Sequence, residues 1–294
     1  MNKNTSFSKT KSKSNLAVVE LDDISLDGNF SHCEIGIGNK LSPERLLFLA
    51  VEYKFKHLLQ HSAIDHDKQL HISKSMLENP EDFFKFPLCT IFNSENKNSS
   101  SEKALKALNI KFKNSAEKNS ALDSLVECLS SLSKDQSLIL DAKLVADELM
   151  CNALYNAPPP KIKKTLKVAK SGTKTKTKIK KDEKERVIKQ AKIFVGATES
   201  EIIIGCEDTY GTLDVIKLLG RVRDCFKRTD GAGIANLGNK GAGLGTYIVF
   251  SVCNSMYFAV DKDLRTIVCC SIPRLHKMRN KVALSKTLHL IVPR

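Results

Sequence analysis

The sequence predicts an α+β protein: a two-layer sandwich of helices on a mixed, mostly antiparallel sheet, with a smaller N-terminal α/β region ahead of it. Three observations predict this. The second half of the chain orders its patterns as helix, helix, hairpin, glycine-rich crossing with a helix, and hairpin, a succession that lays helices on one face of a sheet. Each hairpin is a pair of apolar runs separated by a few turn residues, which pair antiparallel. A chain of 294 residues with 41% hydrophobic and 27% charged side chains buries a core, which excludes full disorder.

Residues 1–14 are rich in Ser, Lys, Asn and Thr and read as a disordered tail. Residues 16–21 (LAVVEL) read as a short strand. Ser42 is placed to cap a helix with Pro43 in its first turn, and the apolar run LLFLAVEYKFKHLLQ (46–60) continues that helix. Pro80, Phe83, Phe84, Phe86 and Pro87 mark a compact aromatic turn region, and residues 93–103 (NSENKNSSSEK) a polar linker.

Beyond the linker the patterns sharpen. Ile110 to Phe112 read as a strand. Leu122, Leu125, Val126, Leu129 and Leu132 recur at helical spacing after Ser115. A second helix follows Ser137, with Leu138, Ile139, Ala142, Val145, Ala146, Leu149 and Ala153 on one stripe, and stops at Pro158, Pro159 and Pro160. A lysine-rich insert covers 161–186. KIFVGA (192–197) and EIIIGC (201–206) form a hairpin, and LDVIKLLGRVRDCF (213–226) a helix. A glycine-rich stretch, 231–245, leads into the helix TYIVFSVCN, and MYFAVD and RTIVCCSI close a second hairpin around 261–264.

Composition narrows the function classes. The net charge of +14 lies in two segments: residues 161–181 carry ten lysines and no acid, and residues 1–14 carry Lys3, Lys9, Lys11 and Lys13 and no acid. Together they account for the whole excess, so the rest of the chain is neutral. Such segments suit weak, salt-sensitive attraction to polyanions; the insert has no interleaved aromatic residue to read a base. Nine cysteines at irregular spacing include no Cys-x-x-Cys pair, against a zinc cluster or a disulfide framework. No run approaches a membrane span and no secretory signal is visible, so no membrane partner is expected and the expected compartment is the cytoplasm.

Four pieces carry chemistry. Glu148 and Asn152 stand four apart on the second helix, so they share a face. A carboxylate there polarises a water or hydroxyl, and a carboxamide oxygen suits Mg²⁺; a plain solvated helix face has the same pattern. Asp208 ends an apolar strand, with Gly211 three residues on, a ligand position or a turn cap. Gly241, Gly243 and Gly245 open a helix, where free backbone N–H groups and close approach suit phosphate oxygens. Neither a dinucleotide fingerprint nor a P-loop is present. Thr266 lies on a strand of the last hairpin.

In this order the four pieces resemble the GHKL ATPase superfamily: the catalytic domains of histidine kinases, the anti-sigma serine kinases, Hsp90, DNA gyrase B and MutL. Within it, DELMCNALYNAP and EDTYGTLD look most like bacterial anti-sigma-factor-type serine kinase ATP-binding modules. The resemblance covers about residues 108–275 and implies the Bergerat-type fold. It implies that Glu148 is the general base or orients the attacking group and that Asn152 is the Mg²⁺ ligand. It implies that Asp208 accepts from the adenine amino group, with Gly211 beneath the base and Thr266 supporting that pocket. Gly241, Gly243 and Gly245 match the phosphate-contacting turn, and residues 212–240 the lid, with Asn239 and Lys240 near the phosphates. This sequence departs from the family in having Thr212 and Leu213 after Gly211 and in placing a lysine-rich insert after the Asn152 helix.

The organisation expected is a basic tail (1–14), an N-terminal module (15–95), a linker (96–107), an ATP-binding domain (108–275) with a basic insert (158–188), and a C-terminal extension (276–294). The function expected is an Mg·ATP-dependent serine kinase or ATPase in bacterial signalling. The cofactors are ATP and Mg²⁺, the partner a sigma factor, an anti-anti-sigma-like protein or another signalling protein, and homodimerisation is an option. The alternatives are a non-catalytic ATP-sensing scaffold and a nucleic-acid-associated ATPase using 161–181. A sensor histidine kinase is disfavoured, because the one His-Asp pair, His66 and Asp67, lies outside any long amphipathic helical pattern.

Overall fold

In the computed structural model of this chain the described residues are 17–22, 33–39, 41–63, 65–92, 106–158, 190–228, 244–274 and 285–292. Among these residues nine strands form one sheet: β1 (Val18–Glu20), β2 (Ile35–Gly38), β3 (His57–Gln60), β4 (Lys106–Phe112), β5 (Ala191–Ala197), β6 (Glu201–Asp208), β7 (Ser255–Asp261), β8 (Arg265–Pro273) and β9 (Thr287–Ile291). Their spatial order is β1-β2-β3-β9-β7-β8-β6-β5-β4. The β1-β2, β2-β3 and β9-β7 contacts are parallel and the other five are antiparallel. The mixed, mostly antiparallel sheet and both predicted hairpins are present.

Strand alternation sends side chains to two helical layers. Met256, Phe258 and Val260 of β7, with Ile193, Val195, Ile202 and Ile204 of β5 and β6, face one core. That core is covered by α1 (Pro43–Glu52), α5 (Ser115–Leu132), α6 (Gln136–Cys151), α7 (Val215–Arg228) and α8 (Leu244–Val252). Tyr257, Ala259, Phe194 and Ile203 point the other way, onto Ile72, Met76, Phe83 and Phe92 of α2 (His66–Glu78), α3 (Pro80–Lys85) and α4 (Pro87–Phe92). The second layer adds to the helices expected on one face.

Several local expectations are corrected. The helix capped by Ser42, whose hydroxyl accepts from Arg45 N at 3.2 Å, ends at Glu52; Lys54 turns to φ +59° and residues 57–60 become β3. All four residues of β3 are buried, so the strand shows no alternation and reads as more of the helical apolar run. The aromatic turn region is two short helices, each opened by a proline, Pro80 and Pro87. The helix α2 carried no apolar stripe because Lys68, Gln69 and Ser73 of its inner face are polar and buried. Strand β4 starts at Lys106, so the ordered sheet begins inside the segment read as linker. Thr287–Ile291, in the segment read as an extension, fills the centre of the sheet between β3 and β7.

The β3-β9 junction is polar and buried. His57 Nδ1 meets His289 Nδ1 at 3.2 Å, and His289 Nε2 meets Gln69 Oε1 at 2.8 Å. An amide oxygen only accepts, so His289 carries its proton on Nε2 and its Nδ1 accepts from His57. Tyr257 stacks on His289 at 4.6 Å and donates its hydroxyl to Gln69 Oε1 at 3.1 Å. Beside them, Lys68 and Glu201 form a buried ion pair at 2.7 Å. On the other face Arg223 of α7 reaches Glu52 of α1 at 2.6 Å. No helix among the described residues is long and apolar enough to cross a membrane, and all nine cysteines are free thiols.

Candidate functional site

A cavity of about 420 Å³ opens between α6, the ends of β6 and β8, α7 and α8. Its lining includes Glu148, Asn152, Asp208 and Thr266. Residues separated by more than a hundred positions converge because α6 crosses the sheet over β6 while β6 and β8 are neighbours; Asp208 and Thr266 are register partners.

Asp208 stands where β6 ends and is buried. Its Oδ1 accepts from Tyr210 N at 2.8 Å and Gly211 N at 3.3 Å. Burial raises its pKa above the usual carboxylate value; those two amides and the neighbouring Thr266 hydroxyl oppose the rise, and Glu207 adds to it. The buried Thr266 hydroxyl is near enough to favour the Asp208 carboxylate, though not as a well-aligned hydrogen bond. Gly211 has φ +63° and its oxygen accepts from Asp263 N at 3.3 Å. A side chain there would strike the backbone of Asp261, Asp263 and Leu264. The turn after Asp208 is thus clamped to the β7-β8 turn, and Thr212 Oγ1 ties it to Ala157 O.

At the other end of the cavity, α6 passes into a π-helical turn, Asn152–Asn156, a local widening that recurs at functional sites. Asn156 Nδ2 donates to Asn152 Oδ1 at 2.6 Å, and Asn152 Nδ2 donates to Glu148 Oε1 at 2.9 Å. Burial raises the pKa of the half-buried Glu148; the Asn152 hydrogen bond opposes this and Asp147 adds to it. Gly245, in the first turn of α8, abuts the Glu148 carboxylate. Gly245 is thus placed beside Glu148; Gly241 and Gly243, with Asn239 and Lys240, lie outside the described residues, as do the tail 1–14 and the insert 161–186.

Sequence reasoning missed three contributors. Thr246, buried in the cavity wall, directly follows Gly245. Lys217 and Arg221, one turn apart on α7, line the cavity with Asp214. Their spacing on one helix face was the available signal, hidden within the segment read as a lid.

No protein-family profile matches the sequence, and no curated protein matches it. Among solved structures, a chain of the SiaB–SiaC complex of Pseudomonas aeruginosa is similar at 14% identity and a TM-score of 0.36, covering 68% of this chain and 98% of that one.

Proposed function

We propose that the cavity binds Mg·ATP and supports phosphoryl transfer, to water or to a serine of a signalling partner in the anti-sigma manner. The observation that carries this reading is the pairing of the buried Asp208 carboxylate with the buried Thr266 hydroxyl at one end of a cavity whose other end holds Glu148 and Asn152. With Oδ1 committed to two backbone amides, the second Asp208 oxygen is the acceptor for a base amino group, and Thr266 Oγ1 meets the same edge. A buried polar end of this kind rewards a ligand that pairs with it and rejects one that does not.

The residues at the open end fit a magnesium ion. Asn152 Oδ1 is a hard oxygen donor, and Mg²⁺ bound to phosphates takes one or two protein ligands with waters. To serve, Asn152 exchanges its bond from Asn156 for the ion. When bound, Mg²⁺ neutralises charge developing on the phosphate oxygens. Glu148, its pKa raised, is a better base than an exposed carboxylate and takes the proton of the attacking hydroxyl or water. The positive dipole end in the first turn of α8 and the cations Lys217 and Arg221 supply positive potential on the phosphate side.

The second reading is an ATP sensor without turnover. It is favoured by the hydrogen-bond chain from Asn156 through Asn152 to Glu148, which holds the carboxylate. One experiment separates the readings: calorimetric titration with Mg·ATP followed by phosphate release, on wild type and Glu148→Ala. Equal affinity with a loss of turnover of about 10²–10⁴-fold supports catalysis. Binding without turnover in wild type supports the sensor, and no binding removes both.

A further inference from the structure

We propose that Lys286 is a positioning residue for the candidate site: by clamping the far end of α8 it holds Gly245 and Thr246 in place against Glu148. Lys286 is buried, with 3% of its surface exposed. Its ammonium donates to Phe250 O at 2.7 Å, Ser251 O at 3.1 Å and Cys253 O at 2.6 Å. It also lies 5.5 Å from the centre of the Phe250 ring.

These carbonyls are those a helix leaves without partners at its C-terminus, where the dipole is negative. A buried ammonium that takes three of them satisfies the end and neutralises it. The next residue, Thr287, opens β9 and donates its N–H to Asn254 O at 2.8 Å. The segment that fills the centre of the sheet therefore also grips α8.

The grip reaches the site through a rigid element. The nine residues of α8 span about 13 Å. At its other end Gly245 abuts the Glu148 carboxylate, and Thr246 and Val249 form cavity wall. The contact at Gly245 has no side chain to interlock, so the height and rotation of α8 against α6 rest on its apolar face, where Tyr247 and Phe250 pack against Phe226, and on the Lys286 clamp at its far end. A slide of α8 along its axis opens the space that Gly245 closes over Glu148. The base-binding end, built on β6 and β8, is untouched by such a slide.

The test compares full-length wild type with Lys286→Met, Lys286→Gln and Lys286→Arg. The first readout is amide hydrogen exchange, which needs no ligand. In the Met variant, exchange across 244–252 rises about tenfold or more, as expected for lost charge-assisted hydrogen bonds, while β5 and β6 keep wild-type protection. The Gln variant is intermediate and Arg restores protection. The second readout is the ratio of Mg·ATP affinity to adenosine affinity, which rests on the nucleotide reading. The ratio falls about tenfold in the Met variant and adenosine affinity is unchanged. Unchanged exchange at 244–252, or an equal rise over the whole sheet, overturns the clamp. Local loosening with an unchanged affinity ratio overturns the positioning role. If wild type binds neither ligand, the nucleotide reading has failed and takes the positioning role with it, while the exchange readout still decides the clamp.

Discussion

Gly245 closes directly over the Glu148 carboxylate: a methyl group on its Cα would overlap both oxygens of that side chain. The obstacle is the far end of a flexible side chain, so the protein accommodates it by turning Glu148 away from its bond with Asn152. Alanine also gains about 1 kcal/mol of helix propensity over glycine. Gly245→Ala is therefore expected to fold with unchanged or slightly raised stability and to lose turnover by about 10²-fold or more, as for a displaced general base. Thermal melts and phosphate release check it, and full turnover in the variant sinks the role given to Glu148.

Asp208→Asn tests the proposed base-binding end. The amide keeps an oxygen for the Tyr210 and Gly211 N–H groups but turns the ligand-facing acceptor into a donor. Nucleotide affinity is expected to fall by about 1–3 kcal/mol, with the melting temperature kept. Unchanged affinity by titration would falsify the assignment.

The pH profile of turnover tests Glu148. A base works deprotonated, and burial raises the pKa of this one. Activity is therefore lost on the acid side at a pH above the usual carboxylate range. The Asn152 hydrogen bond lowers the Glu148 pKa, so in the metal-free protein Asn152→Ala is expected to raise it further, as followed by NMR titration of the Glu148 carboxyl. A downward shift in the variant contradicts the arrangement.

Stability has its own pH dependence, set on the opposite face of the sheet. Burial holds His289 down to about 3, and burial, His289 and Lys56 hold His57 well below the ordinary 6.5. Between those values the unfolded chain binds more protons than the folded one. The contribution is full above pH 6.5 and is lost as pH falls, by up to about 1.4 kcal/mol per pH unit for each histidine. Glu148 and Asp208, with raised pKa values, act in the opposite sense. Urea unfolding of wild type and His289→Gln at several pH values isolates the histidines, because the carboxylates are common to both. The slope between pH 6.5 and 5 is expected to be shallower in the variant.

What could be read from the sequence follows from how each residue is buried. The β5-β6 and β7-β8 hairpins and α5 and α6 show through periodicity, because one face of each is apolar and the turns are short. Glu148 and Asn152 fall together on helical spacing alone, and Asp208 is marked by the apolar strand before it. What stays hidden is polar and interior. His57 and His289 interrupt β3 and β9 at positions that are fully buried, and Lys68, Gln69 and Ser73 do the same for α2. A polar residue in a core satisfies its hydrogen bonds with partners far along the chain, and those partners cannot be found by spacing. Lys217 and Arg221 were hidden differently: charges on a helix face do not reveal whether they look into water or into a cavity.

The place of β9 also sets a clock. His57 and His289 are 232 residues apart in the chain yet touch across the junction. At about 5–20 residues per second of synthesis, β3 waits on the order of 10–50 s for its neighbour. Until then β3 and β7 each present an unpaired edge, the kind of surface that recruits other chains. A chain not yet extended through β9 thus has the residues named at the cavity but an open seam in the middle of its sheet.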